Sequence, residues 1–309
     1  MQMAWSILST AGGVLLLASC TAGTVDAGEV TAGDRKASPT TAQPAQTTPP
    51  PPPPMPVDTT LSYDGEMEQG GWLRGQAPDG AQSVRLDDEE LTLSPKGTFF
   101  AAFDRDAGSS ATLEVTLADG RKISRQLTIA PRDWQIERVN VARTNGGITE
   151  AFWQRRKPEL DRIAAARAVN ADTPGWTQDF MWPVKGRISG RFGAQRIYRG
   201  EPGSYHSGID IAPGNGTPFV APADGVVTLA TDTPFSLEGY LLVIDHGAGL
   251  NSAFLHLSKI AVREGDRVTK GQYLGNVGSS GRASGPHLHW SLKWRDARLD
   301  PLLFAGPMN

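Results

Sequence analysis

Ser284-Gly285-Pro286-His287-Leu288-His289-Trp290-Ser291-Leu292 is the stretch from which the rest of the chain can be read. Its alternation puts Leu288, Trp290 and Leu292 on one side of a strand and the imidazoles of His287 and His289 together on the other. The apolar side needs a sheet to bury it, and the neighbouring sequence supplies one. From Trp182 onward short β-rich runs alternate with turns containing Gly and Pro, and no long helical period interrupts them. Residues 181–309 therefore read as an all-β domain. All five histidines of the chain, His206, His246, His256, His287 and His289, fall inside it.

His206-Ser207-Gly208-Ile209-Asp210 sets an imidazole and a carboxylate four residues apart. The glycine, and the Ile211-Ala212-Pro213-Gly214 that follows, argue for extended chain, in which positions i and i+4 share a face. A catalytic zinc takes three N/O ligands and keeps one position for water. Two histidines and one carboxylate meet that need. A His-x-His pair alone is common on solvated strands, but joined to His-x-x-x-Asp in one small domain it points to a metal.

Further segments stand in line with these: Gly190-Arg191-Phe192-Gly193, Gly216-Thr217-Pro218-Phe219-Val220-Ala221-Pro222-Ala223-Asp224-Gly225, Ser252-Ala253-Phe254-Leu255-His256-Leu257-Ser258 and Gly265-Asp266-Arg267-Val268-Thr269-Lys270-Gly271-Gln272. With the two histidine pairs they resemble, in order, the M23-type (LytM-like) metallopeptidases. The resemblance implies an antiparallel LytM-type sheet and a Zn2+ ion held by His206, Asp210 and His289. It also implies that His256 and His287 act as acid–base and transition-state-stabilising groups. The activity it implies is an endopeptidase that cuts the peptide cross-links of peptidoglycan during wall remodelling, with stem peptides as substrate. Either glycine-rich bridges or D-alanyl links to diaminopimelate would suit it.

Two other classes compete. Non-catalytic members of the same fold activate a wall amidase and characteristically lack the zinc ligands, whereas every ligand position is filled here. Residues 221–227 and 265–272 also resemble the paired halves of a biotinyl or lipoyl carrier, but no Lys stands between Asp224 and Lys259 to carry the group. His246 is expected to be structural, in a turn after a buried strand, and Arg191 and Asp245 to be scaffold.

Residues 59–132 show period-two runs, Ala111-Thr112-Leu113-Glu114-Val115-Thr116-Leu117 and Lys122-Ile123-Ser124-Arg125-Gln126-Leu127-Thr128-Ile129, separated by a turn with Asp119-Gly120. Such a turn signals a hairpin. Pro78-Asp79-Gly80 and Ser94-Pro95-Lys96-Gly97 mark further turns, and the whole reads as a small immunoglobulin-like β-sandwich. Its acidic run Asp87-Asp88-Glu89-Glu90 reads as a solvated turn. Residues 133–180 read as a linker with a short helix over 158–169, begun by Pro158, carrying Leu160, Ile163, Ala164 and Arg167 at helical spacing and bridging the two domains.

The single cysteine, Cys20, excludes an internal disulfide framework and a multi-cysteine zinc site. It closes an apolar run over residues 7–18, too short to span a bilayer but suited to an export signal. Leu17-Ala18-Ser19-Cys20 resembles a bacterial lipobox, which implies cleavage before Cys20 and lipid on its thiol. Residues 1–20 would then be a lipoprotein signal peptide. Residues 21–58, rich in Pro and Thr, would be a disordered tether reaching on the order of 100 Å when extended. The expected location is the cell envelope, as a periplasm-facing lipoprotein of the outer membrane. A net charge of −3 argues against nucleic acid as a partner.

Overall fold

Period-two patterning builds both halves of the structure, a computed structural model that describes residues 60–142 and 149–308. Cys20, the signal segment and the tether lie outside the described residues. The N-terminal strands are β1 (Ser62–Glu66), β2 (Trp72–Gln76), β3 (Ala81–Leu86), β4 (Glu89–Glu90), β5 (Thr98–Ala102), β6 (Ser110–Leu117) and β7 (Lys122–Thr128). They form two antiparallel sheets, ordered β1-β2-β5 and β4-β3-β6-β7. β6 alternates buried and half-buried residues along its length. Leu73, Val84, Phe99, Leu113, Val115 and Leu127 are among the buried apolar side chains of this small sandwich. The hairpin signal between β6 and β7 holds, with Gly120 supplying the positive φ of +83° that the turn requires.

The remaining elements are β8 (Ile136–Val139), α1 (Glu150–Ala168), β9 (Arg187–Gly190), β10 (Gln195–Tyr198), β11 (Glu201–Pro202), β12 (Ile209–Ala212), β13 (Pro218–Val220), β14 (Gly225–Ala230), β15 (Tyr240–Asp245), β16 (Leu250–Ile260), β17 (Arg267–Val268), β18 (Tyr273–Val277), β19 (Leu288–Trp294), β20 (Ala297–Leu299) and α2 (Pro301–Ala305). One large sheet runs β17-β14-β15-β16-β19-β12-β9, with β20 beside β19 and the β13/β18 pair beside β16. Its neighbours are antiparallel throughout. The expectation of an all-β fold with an antiparallel C-terminal sheet is met.

Four expectations need correction. The helix does not span 158–169: α1 begins at Glu150, where Thr149 caps it by accepting a hydrogen bond from the Phe152 amide through its hydroxyl, and Pro158 lies inside it. A proline there deprives the Gln154 carbonyl of its helical donor, a loss that tertiary packing offsets. Nor does the helix bridge the two halves. Ala166 and Ile163 pack on Leu229, Phe235, Leu241, Val243 and Ala253 of the large sheet, and Arg156 grips Glu238 at 2.6 and 2.7 Å.

The sandwich instead docks directly. Phe100 meets Trp294 and Phe304 edge-on or tilted, Trp72 donates to the Leu303 carbonyl, and Arg132 pairs with Asp300 at 2.8 Å. The acidic run is part of this joint and not merely solvated, because Glu89 and the Glu90 carbonyl receive the Arg295 guanidinium. Finally, the stretch taken for linker contributes β8, which pairs in parallel with β10.

Candidate metal centre

Register decides which side chains converge. Asp210 on β12 stands directly opposite His289 on β19, and both face away from the core that buries Ile209, Ile211, Leu288, Trp290 and Leu292. His206 lies just before β12 in a loop. Its Nδ1 donates to the Arg191 carbonyl at 2.9 Å, which leaves Nε2 unprotonated in the neutral ring and turned toward Asp210. His206 Nε2, Asp210 Oδ1 and His289 Nδ1 then lie within 2.8 to 3.1 Å of one another. Lone pairs crowd together there, and they are at ease only with a proton or a cation among them. Among the described residues, these three form the one group placed to hold a metal.

Space for the carboxylate is made by Gly190, where an added Cβ would fall 2.3 Å from Asp210 Oδ2. Gly208 does the same for the imidazole, since a Cβ there would fall 2.7 Å from His289 Nε2. The electrostatics follow from the crowding. Burial raises the Asp210 carboxyl, but the protonated forms of the neighbouring His206 and His289 rings outweigh it and hold the group far below the usual carboxylate range. Burial likewise opposes charge on His206, yet Asp210 wins and its pKa is raised; on His289 burial wins and the pKa is lowered.

His256 reaches the site by an irregularity. Phe254 and Leu257 of β16 both face the core, and alternation would send His256 there too. Instead His256 adopts φ +64°, its amide donates to the Glu238 carbonyl, and the pairing with β15 shifts by one residue. This bulge re-aims the ring onto the metal face. Its Nδ1 donates to the Ser280 carbonyl, and the Nδ1 of His287 donates to that of Gly285. Each Nε2 is left free, and the two ring centroids lie 4.8 Å apart. His287 Nε2 is 3.8 Å from Asp210 Oδ1. Burial lowers the pKa of His256, with His287 and His289 adding to the effect.

All five sequence-predicted site residues, His206, Asp210, His256, His287 and His289, line one open pocket, joined by Arg282, Ala283 and Ser284, which sequence reading did not single out. His246 is elsewhere: it is wholly buried, with Nδ1 toward the Asp224 carbonyl and Nε2 toward the Ser252 hydroxyl. Arg191 contributes through its backbone. The acid Asp245 accepts from the Ala171 amide, and burial raises its pKa.

Two imidazoles and a carboxylate at the surface of an antiparallel sheet, with two unspent imidazoles beside them, make the kind of site that a metal-dependent hydrolase uses. Residues 204–301 match Peptidase family M23. Peptidoglycan DD-endopeptidase ShyA of Vibrio cholerae is 41% identical over 133 residues, covering 41% of this chain and 30% of that protein. Murein hydrolase activator NlpD of Salmonella typhimurium is 33% identical over 143 residues, covering 46% of this chain and 34% of that protein. The chain thus spans about a third of the length of these curated relatives. The crystal structure of a putative peptidase M23 from Pseudomonas aeruginosa aligns with 82% of this chain and 96% of its own, at 27% identity and a TM-score of 0.57.

Proposed function

We propose that the protein is a zinc-dependent endopeptidase that hydrolyses the D-alanyl cross-links of peptidoglycan from an anchor on Cys20, facing the wall from the outer membrane. The observation that carries this reading is the combination of a three-ligand cluster with two histidines whose Nε2 atoms form no hydrogen bond to the described residues. Similarity to a DD-endopeptidase supports the choice of bond. The donor set of two imidazoles and one carboxylate suits zinc, which His206, Asp210 and His289 would hold. Zinc there would supply Lewis acidity, making the scissile carbonyl electrophilic and a water acidic near pH 7.

The chain's own residues do the rest. An Nε2 of the His256/His287 pair takes a proton as the water oxygen bonds to the carbonyl carbon, and returns it to the departing amine as the C–N bond breaks. The second imidazole, 4.8 Å away between centroids, would when protonated at Nε2 donate a hydrogen bond to the oxygen that gains charge. Both rings are held by carbonyls and so are oriented before substrate arrives.

The competing reading, a non-catalytic activator of a wall amidase, takes its support from the likeness to NlpD. Purified sacculi separate the two. Cleavage of DD cross-links by the zinc-loaded chain alone, seen as monomers by mass spectrometry and abolished by chelator, is the expected result. No product without an added amidase would favour the activator. Release from the membrane fraction on Cys20→Ala tests the anchor.

A further inference from the structure

The face of β19 that carries His289 continues beyond the proposed metal site. His289, Ser291 and Lys293 follow one another along it at alternate positions. At roughly 3.3 Å per residue, Lys293 lies about 13 Å past His289, the length of about four extended residues. Arg298 of β20 is the direct cross-strand partner of Lys293. From above, α1 brings in Arg167. These three cations line a hollow of about 470 Å³ together with Ser207, which follows His206, and Glu238, whose carbonyl holds the His256 amide. The hollow therefore borders the metal site.

Its charges do not balance internally. The Glu238 carboxylate is committed to Arg156 by two short bonds, and Glu159 to Arg156 and Ser236. Lys293 has only Asp296, at 3.2 Å, on a fully exposed turn. Among the described residues neither Arg167 nor Arg298 forms an ion pair; Arg298 lies over the ring of Tyr205. Like charges facing each other across a ladder are destabilising. Burial, and then the nearness of Arg298, bring the partly buried Arg167 down to about 10 in spite of Glu238. The hydroxyls of Ser207 and Ser291 also line the hollow without a hydrogen bond to any described residue. Uncompensated guanidinium groups with hydroxyl donors are what a planar anion fits.

We propose that this hollow, built from α1, β19 and β20, is a subsite for a free carboxylate of the cross-linked peptide, seated about four residues from the bond at the metal. The proposal rests on the endopeptidase reading and adds a requirement for an acidic substrate. Arg167 and Arg298 bind the carboxylate, and Ser291 and Lys293 border it. α1 thereby supplies specificity from outside the family match, which begins at residue 204.

The test uses the zinc-loaded chain with a purified cross-linked muropeptide dimer, in native form and with its free carboxyls amidated. The native dimer should be cleaved with kcat/KM about tenfold or more above the amidated one, the difference lying in KM, as charge-assisted hydrogen bonds to a carboxylate require. Arg167→Gln, and separately the more exposed Arg298→Gln, should bring the two substrates to within about twofold of each other by raising KM for the native dimer. Unchanged zinc content and Tm certify the fold of each variant. A wild type indifferent to amidation, variants that keep the preference, or variants that lose kcat on both substrates alike would overturn the subsite. Were the chain to cleave neither dimer, calorimetric binding decides separately: a preference for the native dimer that both variants lose upholds the subsite while the endopeptidase reading falls, and equal binding of both forms removes it.

Discussion

The sandwich and the large sheet obey the same patterning rule, and they differ in where they break it. Along β6 the alternation runs unbroken, and every inward side chain is spent on the core. Along β16 it fails between Phe254 and Leu257, and the residue set free is His256. At His256 the break turns a polar ring out of an otherwise buried strand, at a conformational cost of about 1–3 kcal/mol that the surrounding ladder offsets.

The most severe test of this contrast is at the metal. His289→Ala should abolish both zinc binding and hydrolysis, and full zinc occupancy by elemental analysis would show that the ligand set is wrong. His256→Ala should keep its zinc and lose about a hundredfold or more in kcat, the usual effect of removing an acid–base group. A variant that loses metal instead would make the bulged histidine a ligand. On the other side of the comparison, Phe99→Ala removes a wholly buried ring from the sandwich. It should lower stability by about 3–5 kcal/mol while leaving kcat unchanged below the melting range. A fall in kcat of the folded variant would tie the sandwich to catalysis.

The smallest effect concerns His246, which burial lowers to about 4. Since the folded value lies below the ordinary 6.5, this ring contributes stability that is whole above pH 6.5 and is lost as pH falls toward 4, on the order of 3 kcal/mol in all. Asp245 acts in the opposite sense, because its raised pKa favours the folded state at low pH. Urea unfolding of the apoprotein and of His246→Gln between pH 7 and 4.5 isolates the histidine: its slope should disappear in the variant, and parallel curves would contradict the assignment.

Much of the fold was legible because its signals are local. The Leu288-Trp290-Leu292 alternation and the Gly120 turn each decide their own strand or hairpin within a few residues. The proposed ligands His206 and Asp210 stand out in sequence for the same reason, being four residues apart. Pro158 is a strong initiation signal, while the cap that actually starts α1, Thr149, precedes a turn whose apolar residues, Ala151, Phe152 and Trp153, are consecutive and so set no helical period. β8 could not be read at all: four residues paired in parallel with a strand 59 positions away leave no periodic mark of their own. The cationic hollow is equally silent in sequence, since Arg167 is far from Lys293 and Arg298 until α1 folds over the sheet.

That placement of α1 also fixes what can be inherited as a unit. Leu229, Leu241, Val243 and Ala253 belong to the large sheet yet are roofed by a helix encoded well before it, and β10 borrows its parallel neighbour from further upstream still. A recombination event that joined this sheet to a new leader at residue 175 or 204 would uncover an apolar face, inviting aggregation before any selection on catalysis could act. The segment that looks like the most dispensable spacer in the chain is thus the place where shuffling is least tolerated, and permissive joints should be sought upstream of Ser62 instead.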